Sequence, residues 1–256
     1  VGANIFTLPF WVAGLYFYFF KAEGKRYRPL GWMYVIPLVL FIITQGRSYY
    51  LAPAYPMLVV AGVVTWGRWL AARPAWQAHV LQGITWASLA AGGVIFGALL
   101  LPVASINSDL WDTASDIHDN FVEQIGWPEL AQTVAEIYNT LPAEEQARTG
   151  ILTANYGEAG AINLYGPAHG LPPAISGVNS YWLRGYGDPP PETVIVLGYS
   201  NSSYLTIHLF KTCELAGRVT NPYGVENEET GHPNIYVCRG LRKPWDELWQ
   251  DMQHFG

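Results

Sequence analysis

The sequence predicts a helical membrane segment of about four transmembrane helices, followed by a soluble α/β domain with a mainly parallel sheet. Three observations carry that expectation. Half of the 256 residues are hydrophobic and only 13% are charged, where a soluble domain usually carries about a quarter. The acids are unevenly placed: Glu23 stands alone in 1–102, and all the others fall in 103–256. Finally, near-uncharged runs fill the first part, while short strand-like and helix-like stretches alternate in the second. The expected boundary lies between 102 and 103. The net charge of −6 belongs to the second part and excludes a nucleic-acid partner.

Four apolar runs make up the first part: 5–20, 30–44, 51–67 and 80–102. A span needs about 20 mostly apolar residues. The fourth run meets this outright, the first with its flanks, and the second and third inside a bundle that satisfies the groups freed by Pro and Gly. Buried helices of a large soluble protein are the bland alternative. The loop 21–29 carries Lys21, Lys25, Arg26 and Arg28 against Glu23, and the loop 67–76 carries Arg68 and Arg73. Basic loops stay cytoplasmic. The turn at 45–50 and the acidic second part are therefore expected outside, which in a bacterium is the periplasm. No secretory signal is visible, and the apolar stretch begins at once after Val1. The chain thus reads as the C-terminal part of a longer inner-membrane, multi-pass protein.

In the second part, 127–141 has helical periodicity with Pro128 suited to the first turn. The stretch 150–155 reads as a short strand and 156–166 as a loop and helix. Gly and Pro mark 167–192 as mostly loop, with a short strand near 174–176. "TVIVLG" (193–198) is the clearest buried strand. A capped helix over 200–210, strands around Cys213 and Cys238, and a closing helix over 243–252 follow. The segment 103–256 is expected to fold alone.

Several residues are candidates for chemistry. "GRSYYLAPAYP" (46–56) places Arg47, Tyr49, Tyr50 and Tyr55 where a span begins on the outer side. An arginine there can hold a lipid phosphate through parallel hydrogen bonds, or it can snorkel as an interfacial anchor. "TANYGEAGAINLYG" (153–166) has the strand–turn–helix order that holds an anion or a sugar, with Asn155, Tyr156 and Glu158. Tight packing of helix on sheet explains its glycines equally well. It is neither GxGxxG nor a Walker loop, so nucleotide binding has no support. Asn179 and Trp182 lie in a loop whose amide and aromatic groups suit sugars or a docking face. Asp109, Asp112, Asp116, Asp119 and Glu123 form an acidic run, read as a solvated face before a metal site. Cys213 and Cys238 are the only cysteines. An oxidising compartment permits a disulfide, but register decides it. No HExxH and no GxSxG occurs, so hydrolase readings gain nothing.

Three stretches in order, "LPFWVAGLYFYFF…YRPLGW", "GRSYYLAPAYPML" and "NYGEAGAINLYG…LPPAISGVNSYW", make the chain resemble the C-terminal part of bacterial glycosyltransferase family 39 proteins. These are related to dolichyl-phosphate-mannose protein mannosyltransferases and to lipid A aminoarabinose transferases. The resemblance implies a GT-C type membrane enzyme that passes a sugar from a polyprenyl phosphate to a lipid or protein acceptor by direct displacement. It implies Arg47 and its tyrosines near the lipid phosphate, with arginine where lysine is often expected. Membrane lipids and further transmembrane helices upstream are implied partners. The family's catalytic carboxylate lies in a first periplasmic loop that nothing here matches. No catalytic base is therefore assigned, and this stretch alone is expected to be inactive. No cofactor or metal ligand is expected in it; a divalent metal belongs, if anywhere, to the whole enzyme.

Overall fold

The computed structural model describes residues 5–46 and 48–255, the side chains of Ser48 and Asp119 excepted. The chain divides into two compact units, Val1–Ser105 and Ile106–Gly256.

The first unit contains helices α1 (Leu8–Phe20), α2 (Arg28–Thr44), α3 (Tyr55–Ala71) and α4 (Ala75–Leu100). Helical segments Ala22–Thr44, Tyr49–Ala71 and Ala75–Leu100 are long and apolar enough to cross a membrane. Helix α1, at 13 residues, is apolar but shorter. Three of the four expected spans thus reach spanning length among the described residues. The third and fourth run past their expected limits because alanines and a proline N-cap support helix on both sides of the basic loop. Helices α1 and α3 pack backbone to backbone. A Cβ on Gly14 would stand 2.0 Å from the Leu58 carbonyl oxygen, and one on Gly62 would stand 1.7 Å from that of Phe10. Small residues at the contact are how apolar helices gain packing without a hydrophobic driving force. Thr44, Thr65 and Thr85 donate their hydroxyls to carbonyls four residues back, so those polar groups are satisfied within their own helices. Arg68 of α3 pairs with Glu23, which places both basic loops at one end of this unit.

The second unit is a three-layer α/β domain. Its elements are α5 (Asp109–Ile117), α6 (Trp127–Thr140), α7 (Ala143–Gln146), β1 (Thr149–Thr153), α8 (Tyr156–Tyr165), β2 (Ala174–Ile175) and β3 (Thr193–Leu197). Then come α9 (Ser202–Tyr204), a π turn over Leu205–Leu209, β4 (Phe210–Arg218), α10 (Glu228–Gly231), β5 (Asn234–Leu241) and α11 (Trp245–Asp251). Strand order is β2-β1-β3-β5-β4. The pairs β1–β2 and β1–β3 are parallel, while β3–β5 and β4–β5 are antiparallel. The sheet is therefore mixed, not mainly parallel. The loop 219–233 returns the chain without a crossover, so β5 runs against β4. Strand β5 takes the inner place because it is apolar on both faces. Ile235 and Val237 join one core, and Tyr236 and Cys238 join the other. Strand β4 bears Lys211, Glu214 and Arg218, all exposed, and forms the edge.

Alternation along β1 and β3 divides the cores. Ile151, Ile195 and Leu197 pack with α6 and α8, and Leu152, Val194 and Val196 pack with α11 and the π turn. Cys213 and Cys238 stand directly opposite in the β4–β5 register and form a disulfide with Cα atoms 4.1 Å apart.

Candidate functional site

The turn that opens the third apolar helix is built from local rules. Gln45 ends α2 in the left-handed conformation, and Gly46 donates its N–H to the Phe41 carbonyl at 2.8 Å. Arg47 lies outside the described residues. A 3₁₀ turn over Ser48–Ala54 then leads into α3, with Pro56 in its first turn. Leu51 and Ala54 are buried with Tyr18, Tyr34 and Leu58, and so anchor the turn. Tyr49 and Tyr50 are exposed with ring centroids 4.5 Å apart, and Tyr50 also meets Phe41. Tyr55 faces the bundle instead: its hydroxyl is 3.5 Å from that of Tyr34, and its ring lies against Trp11. The structure thus places Tyr49 and Tyr50 together and sends Tyr55 inward.

The second site lies at the carboxyl ends of β1 and β3. The order β2-β1-β3 means the chain leaves β1 toward one side and later returns to the other. Ligands of open α/β sheets bind in the crevice beyond the strand ends at such a point. Here Ala154 donates to the Leu197 carbonyl at 3.1 Å, so both strands end together. Asn155 caps α8, its Oδ1 accepting from the Glu158 N–H at 2.8 Å. Glu158 Oε2 in return accepts from the N–H groups of Ala154 and Asn155 at 3.0 and 3.2 Å. This capping box satisfies the helix start and draws the carboxyl inward to 2% exposure. Gly198 (φ +82°) follows β3. A Cβ there would stand 2.5 Å from both Glu158 oxygens, so only glycine leaves room for the carboxyl.

A cleft of about 560 Å³ opens above, lined by Asn155, Tyr156, Trp127, Glu123, Glu228 and Glu229 among others. Two distant segments form its rim. Asn227 caps α10 and donates its side-chain amide to the carbonyls of Val122 and Ile125 at 3.1 and 2.9 Å. The Glu228 N–H reaches Glu123 Oε2 at 3.1 Å. One carboxylate oxygen from each of Glu123, Glu228 and Glu229 lies within 4.8 Å of the other two. Asn155 Nδ2 donates to Glu228 Oε1 at 3.3 Å. Burial, with the nearby Glu229 and Glu228 charges, pushes the Glu158 carboxyl up to about 8, against the pull of the two N–H bonds. Burial and the Glu123 and Glu228 charges push Glu229 up to about 7. Burial also raises Tyr199, next to Gly198.

Of the residues singled out in the sequence, Asn155, Tyr156 and Glu158 come to this cleft, Glu158 as its buried support. Asn179 sits beside it. Its N–H donates to the His254 carbonyl, and Val178 and His254 line the wall. Trp182 belongs to the other core, where it and Trp249 exchange indole N–H bonds with each other's carbonyls. Of the acidic run, Asp109, Asp112 and Asp116 are exposed, Asp119's side chain is undescribed, and only Glu123 joins a cluster. Glu228 and Glu229 were not singled out. Two consecutive glutamates directly after Asn227 in "VENEET" were the available signal.

These features define a membrane-associated chain with an α/β domain whose parallel strands end at an acid-lined cleft. Comparison with protein-family models, curated proteins and solved structures gives no match.

Proposed function

We propose that the chain is the C-terminal part of an integral membrane glycosyltransferase of the bacterial inner membrane. It passes a sugar from a polyprenyl-phosphate donor to a lipid, glycan or protein acceptor at the periplasmic face. The supporting observation is the anchored 3₁₀ turn at the head of a spanning helix, with Tyr49 and Tyr50 exposed side by side. Phenolic hydroxyls suit a boundary that is wet on one side and apolar on the other, where a lipid phosphate sits. In this reading Arg47 supplies the charge and Tyr49 and Tyr50 orient the phosphate, while Tyr55 braces the turn from within. The carboxylate that activates the acceptor comes from outside this stretch.

A second reading, a non-catalytic membrane-anchored binding module, is favoured by the cleft at the sheet's crevice point. The test uses the full-length protein in proteoliposomes, comparing wild type with Arg47→Ala and Tyr49→Phe. Polyprenyl-phosphate binding and sugar transfer fall together in Arg47→Ala if the transferase reading holds. Unchanged binding and transfer in a folded Arg47→Ala protein would remove the lipid-phosphate role. No transfer by wild type, with acceptor retained, would favour the module.

A further inference from the structure

We propose that the cleft beyond β1 and β3 binds a hard divalent cation of the Ca²⁺ class through Glu123, Glu228 and Glu229. The proposal stands apart from the transferase reading and does not depend on it.

Two observations carry it. The first is the triad itself, which offers one carboxylate oxygen from each residue within 4.8 Å of the other two. No ion pair among the described residues includes any of the three. Like charges held this close need a counter-charge or a proton. The second is Glu229, which is 4% exposed and lines the cleft, and whose Oε2 accepts no hydrogen bond. That oxygen is left without a partner although neighbouring polar groups of the cleft are hydrogen-bonded to one another. A buried carboxylate oxygen without a donor is costly, and a cation shared with two neighbouring carboxylates removes the cost.

The donor set selects the ion. It is all oxygen, with no thiolate or imidazole in the triad, which disfavours zinc and copper and favours calcium or magnesium. Calcium takes six to eight oxygens at about 2.3–2.6 Å in flexible geometry. Magnesium demands a tighter octahedron at about 2.0–2.1 Å and holds its waters. Three carboxylates from two separate segments suit calcium's flexible shell better than magnesium's strict octahedron, and the open cleft admits water to complete it. The framework is held in advance, because Asn227 ties α10 to the carbonyls of Val122 and Ile125. The cation would then link two segments about a hundred residues apart in sequence.

The test uses this chain in detergent micelles, stripped with EDTA. Terbium serves as a luminescent stand-in excited through Trp127, and Ca²⁺ and Mg²⁺ are titrated by calorimetry. One saturable site is expected, with Ca²⁺ displacing Tb³⁺ and binding more tightly than Mg²⁺. Glu229→Gln and Glu228→Gln should each weaken Ca²⁺ by about tenfold or more. Trp127→Phe should cut the sensitised emission and leave the heat of Ca²⁺ binding in place. Glu228 is exposed, so its variant decides the matter if Glu229→Gln fails to fold. No saturable binding would overturn the proposal and leave a shared proton as the counter-charge. Equal affinity in wild type and Glu228→Gln, or undiminished emission in Trp127→Phe, would place the ion elsewhere and overturn it equally.

Discussion

At the amino-terminal edge of β1 and β3, Glu145 accepts hydrogen bonds from Arg239 at 2.6 Å and from the Thr193 hydroxyl at 2.8 Å. At the carboxyl-terminal edge of the same strands, Glu158 and Glu229 are buried, and among the described residues no cationic side chain pairs with either. The Arg239 hydrogen bond, with Thr193, holds Glu145 below the usual carboxylate range; burial drives Glu158 and Glu229 above it. The same side chain is thus stabilised as a charge at one end of the sheet and penalised as a charge at the other. The first end is fastened further by the disulfide, since Cys238 lies opposite Val194 near the start of β3. Carboxylates perturbed by burial in a cleft make a functional-site candidate, while ion-paired ones such as Glu145 are perturbed by structural pairing. That contrast separates the two ends on physical grounds.

The largest expected effect is on pH dependence. Glu158 and Glu229 have folded pKa values above their unfolded ones. Their stabilisation is full below the ordinary glutamate value and is lost as pH rises through about 7 and 8. In EDTA, thermal unfolding of the second unit should move to lower temperature as pH rises from 5 to 8, Glu229 contributing up to about pH 7 and Glu158 up to about pH 8. The double variant Glu158→Gln/Glu229→Gln should flatten that slope; an equal slope would sink the contrast. Next comes the fastened end. Replacing Cys213 and Cys238 by alanine frees a loop of sequence separation 25. The denaturation midpoint should fall by an amount equivalent to about 3.5 kcal/mol. The smallest effect is Arg239→Met. The pair is partly exposed, 39% and 23% for its two side chains, so solvent screens it and the loss should stay below about 1 kcal/mol. Its sign is the useful part. Glu145's contribution is present above the ordinary glutamate value and disappears as pH falls through its depressed one. Melting curves at pH 3 and pH 7 should therefore differ less in Arg239→Met than in wild type.

Much of the second unit was legible because its signals are local. "TVIVL" is a run of buried β-formers and became β3. The apolar face read over 127–141 became α6, whereas the capping box of Asn155 and Glu158 emerged only in the structure. Sheet order was less legible, because nothing local in 210–241 says that β5 will slip between β3 and β4. Its two-sided apolar pattern carried that information only once both neighbours were known. The acid triad was hidden for the same reason: Glu123 and Glu228 meet through a hydrogen bond spanning 105 residues. In the first unit, composition marked the apolar runs. It did not show that Gly14 and Gly62 seat α1 against α3, or that Tyr55 turns away from Tyr49 and Tyr50.

Strand β4 has a practical consequence. It is nine residues long, lies at the edge of the sheet, and is exposed along most of its length. Such an edge invites another chain to pair with it, and charges such as Lys211, Glu214 and Arg218 discourage that. The disulfide pins this strand to its neighbour near its middle. Protein made in a reducing compartment would lack the pin, and β4 would peel and recruit a second copy more easily. Production with export to an oxidising compartment, or refolding with a glutathione couple, is the way to obtain monodisperse material.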